Sequence, residues 1–217
     1  MKLQSFTCNP YAENTYILYD ETRECVLVDP GCYTEAEQEM LAGFISAEKL
    51  TPVRVINTHC HLDHVFGLPF ILRTYGLRPE IHRGEQIVLD YTEQVGKMYG
   101  TPTEPMPAPG GYLEEGDLVR FGNTVLEILF TPGHSPASIC FFNRTGGQLI
   151  SGDVLFRGSI GRTDLPGGDY DTLMHSIFEK LMPLEDHIRV YPGHMEETTI
   201  GEERRTNPFL LEWQAQL

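Results

Sequence analysis

The chain has 217 residues, 41% of them hydrophobic, and a formal charge of −15. That length suits one domain with a sizeable core spanning residues 1–217. The acidic balance argues against a nucleic-acid partner, whose phosphates call for clustered Lys and Arg, and no apolar run is long enough to cross a bilayer. The opening Met1-Lys-Leu-Gln-Ser-Phe-Thr-Cys8 reads as a first strand with no signal peptide, so a cytoplasmic location is expected. Cys8, Cys25, Cys32, Cys60 and Cys140 form no C-x-x-C pair, which agrees with reduced thiols there.

Residues 2–8, 14–19 and 24–29 read as short strands, the third closed by the turn signal Asp29-Pro-Gly31. Thr34 caps a helix running to about Leu50, with Glu37 completing a capping box. A β-type run, Val53-Arg-Val-Ile-Asn57, leads into Thr58-His59-Cys60-His61-Leu62-Asp63-His64. A helix is expected from Leu62 to Tyr75, stopped by Gly76. Pro79–His82 is a short strand and 85–98 a helix, while four prolines and three glycines make 100–111 a loop. Strands at 118–121, 124–130, 138–142 and 147–151 follow. A helix at about 172–182 takes Asp171 as its N-cap and puts Leu173, Ile177 and Leu181 on one face. A last strand, 188–191, precedes a terminal helix after Pro208. Two strand-rich halves with outer helices predict an α/β (α+β in some schemes) protein arranged as a four-layer αβ/βα sandwich.

The stretch from His59 to His64 packs four metal-ligating side chains into six residues. His59 and His61 are two apart, so on extended chain they share a side, whereas on a helix they would diverge. Cys60 then points away from both and reads as a packing residue. Asp63 and His64 fall in the first turn of the following helix, where the macrodipole favours an ionised Asp63 and a neutral, ligating His64. Three further candidates sit beside glycines: His134, Asp153 and His194. Five imidazoles and two carboxylates are enough for one or two first-row metals with room for a water. His82, His175 and His187 have no such neighbours and read as packing or surface residues.

T-H-x-H-x-D-H followed by a separate His, a Gly-Asp and a Gly-His resembles the metallo-β-lactamase fold superfamily. Ser151-Gly-Asp-Val-Leu-Phe-Arg-Gly-Ser-Ile-Gly-Arg-Thr-Asp164, Leu165-Pro-Gly-Gly-Asp169 and Glu203-Arg-Arg-Thr-Asn-Pro-Phe209 are similar to short bacterial glyoxalase II (hydroxyacylglutathione hydrolase) proteins. The resemblance implies the metallo-β-lactamase fold, with His59, His61 and His134 on one metal, Asp63, His64 and His194 on a second, and Asp153 bridging them. Zinc is the metal expected from the ligand types, and imidazole with carboxylate also suits iron and manganese. The implied reaction is attack of a metal-activated hydroxide on a thioester such as S-lactoylglutathione, with Asp63 orienting the nucleophile and taking its proton. Asp29 is implied to support the ligand loops, and Arg162 to meet a carboxylate of a glutathione-derived substrate. The sequence departs from glyoxalase II in having Glu196 where an aromatic is expected and Ala137 where a Gly is usual, and in leaving little room for a further helical region after Leu217.

The same motif, with Gly161-Arg-Thr-Asp164, also resembles persulfide dioxygenases, which implies a mononuclear iron on His59, His134 and Asp153. A β-lactamase or lactonase would use the same metal core, and a non-catalytic metal-binding protein would be expected to have lost a ligand or to have a blocked pocket.

Overall fold

Period-two alternation divides the apolar strand residues into two sets, and the computed structural model, which describes residues 1–216, buries both. The first sheet begins with β1 (Lys2–Cys8), β2 (Glu13–Tyr19) and β3 (Glu24–Val28), joined antiparallel. Helix α1 (Glu35–Ala47) crosses over to β4 (Thr51–Ile56), which lies parallel to β3. Its capping box forms as expected: Thr34 Oγ1 accepts from Glu37 N at 3.3 Å and the Glu37 carboxylate accepts from Thr34 N at 2.8 Å. Then come α2 (Leu62–Val65), α3 (Leu68–Tyr75), β5 (Pro79–Ile81), a 3-10 turn at Arg83–Glu85, α4 (Gln86–Asp90), α5 (Thr92–Tyr99) and β6 (Gly111–Tyr112). Strands β1 to β6 lie side by side in chain order.

The second sheet contains β7 (Leu118–Phe121), β8 (Thr124–Phe130), β9 (Ile139–Asn143) and β10 (Gln148–Gly152) as an antiparallel meander. A small hairpin, β11 (Leu155–Phe156) with β12 (Ser159–Ile160), leads to α6 (Tyr170–Ser176), which a π-helical turn extends through Leu181. Strand β13 (Arg189–Pro192) adds parallel to β10, and β14 (Thr198–Thr199), α7 (Ile200–Thr206) and α8 (Pro208–Gln214) complete the fold.

Three apolar layers hold these elements together. Tyr16, Leu18, Val26, Val28 and Ile56 meet Val119, Leu126, Ile128, Ile139 and Phe141 between the sheets. The alternate residues Ile17, Leu27 and Val55 pack outward on Leu41, Ile45, Leu68 and Ile71 of α1 and α3. Cys140, Phe142, Leu149 and Val190 pack outward on Leu173, Ile177, Ile200 and Leu210. Helices, sheet, sheet, helices is the four-layer αβ/βα sandwich expected from the sequence. The five cysteines are free and buried within it. Among the described residues, no helix is long and apolar enough to cross a membrane.

Three helices depart from the sequence pattern. The helix expected over 62–75 is two, because Gly67 N donates to Pro30 O at 2.7 Å and Pro69 has no N–H to offer Val65. The helix expected over 85–98 is a 3-10 turn and two short helices that meet at Tyr91. The N-cap of α6 is Asp169, whose carboxylate accepts from Thr172 N at 2.8 Å; Asp171 lies inside the first turn.

Candidate metal centre

Ligand-bearing loops leave the C-terminal ends of β4, β8, β10 and β13, joined by the supporting loop after β3, and converge where the two sheets face each other, the edge at which open α/β sheets place their sites. Backbone hydrogen bonds tie the loops to one another. Ile139 N donates to Thr58 O at 2.9 Å, Gly193 N to Gly152 O at 2.9 Å, and Asn14 N to Gly193 O at 2.7 Å. Gly193 permits this approach, since a Cβ there would lie 2.6 Å from His64 Cε1 and collide with the Asp153 carboxylate.

All seven expected ligands meet in this gap. The ligand atoms of His59, His61 and His134 lie within 4.8 Å of one another, and so do those of Asp63, His64 and His194. Asp153 stands between the two sets: its carboxylate is 3.5 Å from His134 Nε2, 3.5 Å from His64 Nε2 and 3.4 Å from His194 Nε2. His61 Nδ1 and His134 Nε2 are 2.8 Å apart, and His194 Nε2 is 3.1 Å from Asp63 Oδ2.

The atoms facing away from the gap explain which nitrogens are free. His134 Nδ1 donates to the Arg162 carbonyl at 2.7 Å, leaving Nε2 as a lone pair. His64 Nδ1 donates to Asp29 Oδ2 at 3.1 Å. Thr58 Oγ1 donates to the same Asp29 oxygen at 2.6 Å, so it can accept from His59 Nδ1 at 3.1 Å. Asp29 also accepts from Thr58 N at 2.7 Å, which makes it the anchor of the first ligand loop, as expected. With their Nδ1 atoms engaged, His59 and His64 present Nε2 atoms that are buried and without a hydrogen-bond partner, and Asp153 Oδ1 is in the same condition. Buried polar atoms are rarely left unpaired, so unpaired donors of this kind converging on one gap fit a cation.

Electrostatics divide the centre. Burial holds His59 well below the usual imidazole range and His61 down at about 3, and it lowers His134 against the pull of Asp153. Burial would lower His64 too, but Asp153 and Asp63 outweigh it and raise that group well above its ordinary value. Helix α2 is only Leu62–Val65, so the carboxylates rather than a helix dipole set the direction of the His64 shift in the metal-free centre. His194 is raised by its bond to Asp63 and by Asp153, against burial. Asp63 and Asp153 are lowered, their burial outweighed first by His64. A positive charge is what this carboxylate-lined side demands, and a divalent cation meets the same demand.

Cys60 packs in the outer core of the first sheet, and burial pushes its thiol well above the ordinary value, so it serves packing as expected. The Arg162 guanidinium is exposed and bidentate with Asp164, at 2.7 and 2.8 Å. What Arg162 gives the centre is its carbonyl oxygen. Sequence reasoning missed Thr58, Glu85 and Asn9. Asn9 Nδ2 donates to the Asp63 and Gly31 carbonyls, each at 3.0 Å. Asp63 and His194 keep 17% and 21% of their side chains exposed, so solvent reaches the centre from their side.

Residues 8–194 match the family model of the metallo-β-lactamase superfamily. The chain is 37% identical to the probable metallo-hydrolase YqgX of Bacillus subtilis, over 97% of this chain and 98% of that one. It is 34% identical to the hydroxyacylglutathione hydrolase GloC of Haemophilus influenzae, over 97% and 98%. Among solved structures it is similar to the B3 metallo-β-lactamase BLEG-1, with TM-score 0.88, 34% identity and coverage of 96% and 99%. It is also similar to TTHA1623 in a di-iron-bound form, with TM-score 0.85, 36% identity and coverage of 95% and 100%.

Proposed function

The chain belongs to the metallo-β-lactamase superfamily, and from that premise we propose that it is a hydrolase of thioesters such as S-lactoylglutathione, working in the cytoplasm with His59, His61, Asp63, His64, His134, Asp153 and His194 as its metal ligands. The observation that carries the reading is the pair of ligand clusters, His59/His61/His134 and Asp63/His64/His194, with Asp153 against both. The similarity to GloC supports the substrate class. Zinc suits this donor set, and the di-iron form of TTHA1623 makes iron the second metal to assay.

Bound divalent metal supplies Lewis acidity and a water acidic enough to ionise near neutral pH. The chain does the rest. Burial lowers His59, His61 and His134, which favours their neutral, ligating form. Asp63, partly exposed, orients the attacking water and accepts its proton. The thiolate leaves without a strong general acid. In this reading the Arg162 guanidinium leaves Asp164 to meet a substrate carboxylate.

A second reading takes His59, His134 and Asp153 as the two-histidine, one-carboxylate set of oxygen-activating iron; the His59 and His134 rings lie 4.9 Å apart and Asp153 is 3.5 Å from His134 Nε2. It makes the protein a persulfide dioxygenase. Elemental analysis coupled to assays of S-lactoylglutathione hydrolysis, oxygen uptake with glutathione persulfide, and β-lactam cleavage separates the possibilities, the last included for the likeness to BLEG-1. Wild type is expected to hydrolyse the thioester and His59→Ala to be inactive. Equal rates in the two would remove the proposed mechanism.

A further inference from the structure

Glu85 is fully buried, ends the 3-10 turn after β5, and belongs to no ligand cluster, yet it touches two ligand loops. Its Oε2 accepts from Cys60 N at 2.9 Å, between His59 and His61. Its Oε1 accepts from Ala137 N at 2.8 Å, three residues beyond His134. The Ser135 hydroxyl lies 2.6 and 2.8 Å from the two oxygens. The turn is pressed against the second loop, since a Cβ on Gly84 would lie 2.6 Å from Ala137 Cβ. The first loop belongs to the β1–β6 sheet and the second to the β7–β14 sheet, so this side chain couples the two halves of the molecule at the metal centre.

We propose that Glu85 is a positioning residue for the metal centre, holding the loop of His59 and His61 in register with the loop of His134 through acceptor atoms that only a carboxyl group provides. The inference rests on the reading that these histidines hold a metal. Each Glu85 oxygen faces a backbone N–H, so both must accept. A glutamine has the same shape, but its NH₂ would set donor against donor on one of the two loops. Backbone groups cannot be rearranged as side chains can, so the loops must part, and the His61 to His134 spacing of 2.8 Å with them.

A second buried carboxyl group provides the control. Glu203 accepts from Gly158 N at 2.8 Å, Thr198 Oγ1 at 2.6 Å and Asn207 Nδ2 at 2.8 Å, none of them in a ligand loop. The test uses the full chain freed of metal: wild type, Glu85→Gln, Ser135→Ala and Glu203→Gln. Each is titrated with Zn²⁺ against a chromophoric chelator and with Co²⁺ followed by its visible absorption, with circular dichroism and thermal unfolding recorded alongside. Glu85→Gln is expected to bind the first equivalent of Zn²⁺ about 10–100-fold more weakly and to shift the Co²⁺ bands. Ser135→Ala should weaken binding about two- to fivefold, the size of one net hydrogen bond. Glu203→Gln should lose thermal stability while keeping wild-type affinity and bands. Wild-type affinity and bands in Glu85→Gln would overturn the proposal, and so would a Glu203→Gln variant that weakens as much. If Glu85→Gln does not fold, Ser135→Ala decides: weakened binding with an intact fold supports the role, and wild-type binding overturns it. A wild type that takes up neither metal would instead overturn the metal reading itself.

Discussion

The two sides of the seven-residue centre present opposite electrostatics to the same gap. On one side His59, His61 and His134 are shielded by burial and lowered in pKa, with Thr58, the Arg162 carbonyl and Glu85 fixing the rings and loops. On the other, Asp63 and Asp153 surround His64 and His194, whose imidazoles they raise. The first side is shifted toward three neutral bases, and a cation enters it displacing fewer protons. On the second side Asp63 and Asp153 raise His64 and His194, so a cation binding there competes with protons. The difference makes the three-histidine side the one expected to fill first and to set the affinity of the whole centre.

Removing a donor from that side is the largest expected effect. His134→Ala should weaken the first equivalent of metal by more than about 100-fold, because losing even an outer partner of a ligand costs 10–100-fold. Thioester hydrolysis should fall with it. A variant that keeps tight binding of the first equivalent would show that the carboxylate side, and not the imidazole side, dominates.

The contrast also fixes a pH dependence. Burial lowers His59, His61 and His134, so affinity for the first equivalent is expected to fall less between pH 8 and pH 6 than affinity for the second. His64 is shifted the other way, upward, by Asp153 and Asp63 against burial, so ligation there competes with a proton. Affinity for the second equivalent should therefore drop about tenfold per pH unit for each proton displaced. Calorimetric titration in buffers of different ionisation enthalpy counts those protons: fewer are expected for the first ion than for the second. Equal proton release at both steps would erase the comparison.

The ligands were legible in the sequence and their supports were not. His59 to His64 announce themselves by density, and strand alternation places the loops that follow Val28, Ile56 and Ile150. Glu85 gives no such signal: a glutamate at the head of an apolar-periodic run reads as a solvated helix start, and only the arrival of residues 135–137 from the other sheet buries it. Arg162 supplies a carbonyl, a group every residue has, so its side chain misdirects the reading. Helix α7 escaped because Ile-Gly-Glu-Glu-Arg-Arg-Thr lacks an apolar stripe; the Thr199 cap and the hydrogen-bonded, buried Glu203 hold it instead. What failed to show in sequence is thus what depends on chain segments remote from one another.

A smaller perturbation sharpens the same comparison from within. Thr58→Val keeps the shape of the side chain but removes the acceptor for His59 Nδ1 and one donor to Asp29, while His64 keeps its own bond to Asp29. The first equivalent of metal should bind about tenfold more weakly, and the second should be spared. Equal losses at both equivalents would mean that Asp29 carries the two sides as a unit.

The smallest expected effect concerns Arg162. Its guanidinium is exposed and paired only with exposed Asp164, so little stability rests on it. Its contribution to His134 is made by a main-chain atom that any residue retains. Arg162→Ala should therefore keep the thermal midpoint, the metal affinity and kcat of the wild type. If the guanidinium also meets a substrate carboxylate, KM for S-lactoylglutathione should rise about tenfold, the lower end for a charge-assisted pair, with KM for an uncharged thioester unchanged. That split separates uniform substrate binding from any role at the metal. Identical KM values for both substrates in wild type and variant would leave Arg162 with its carbonyl as its whole contribution.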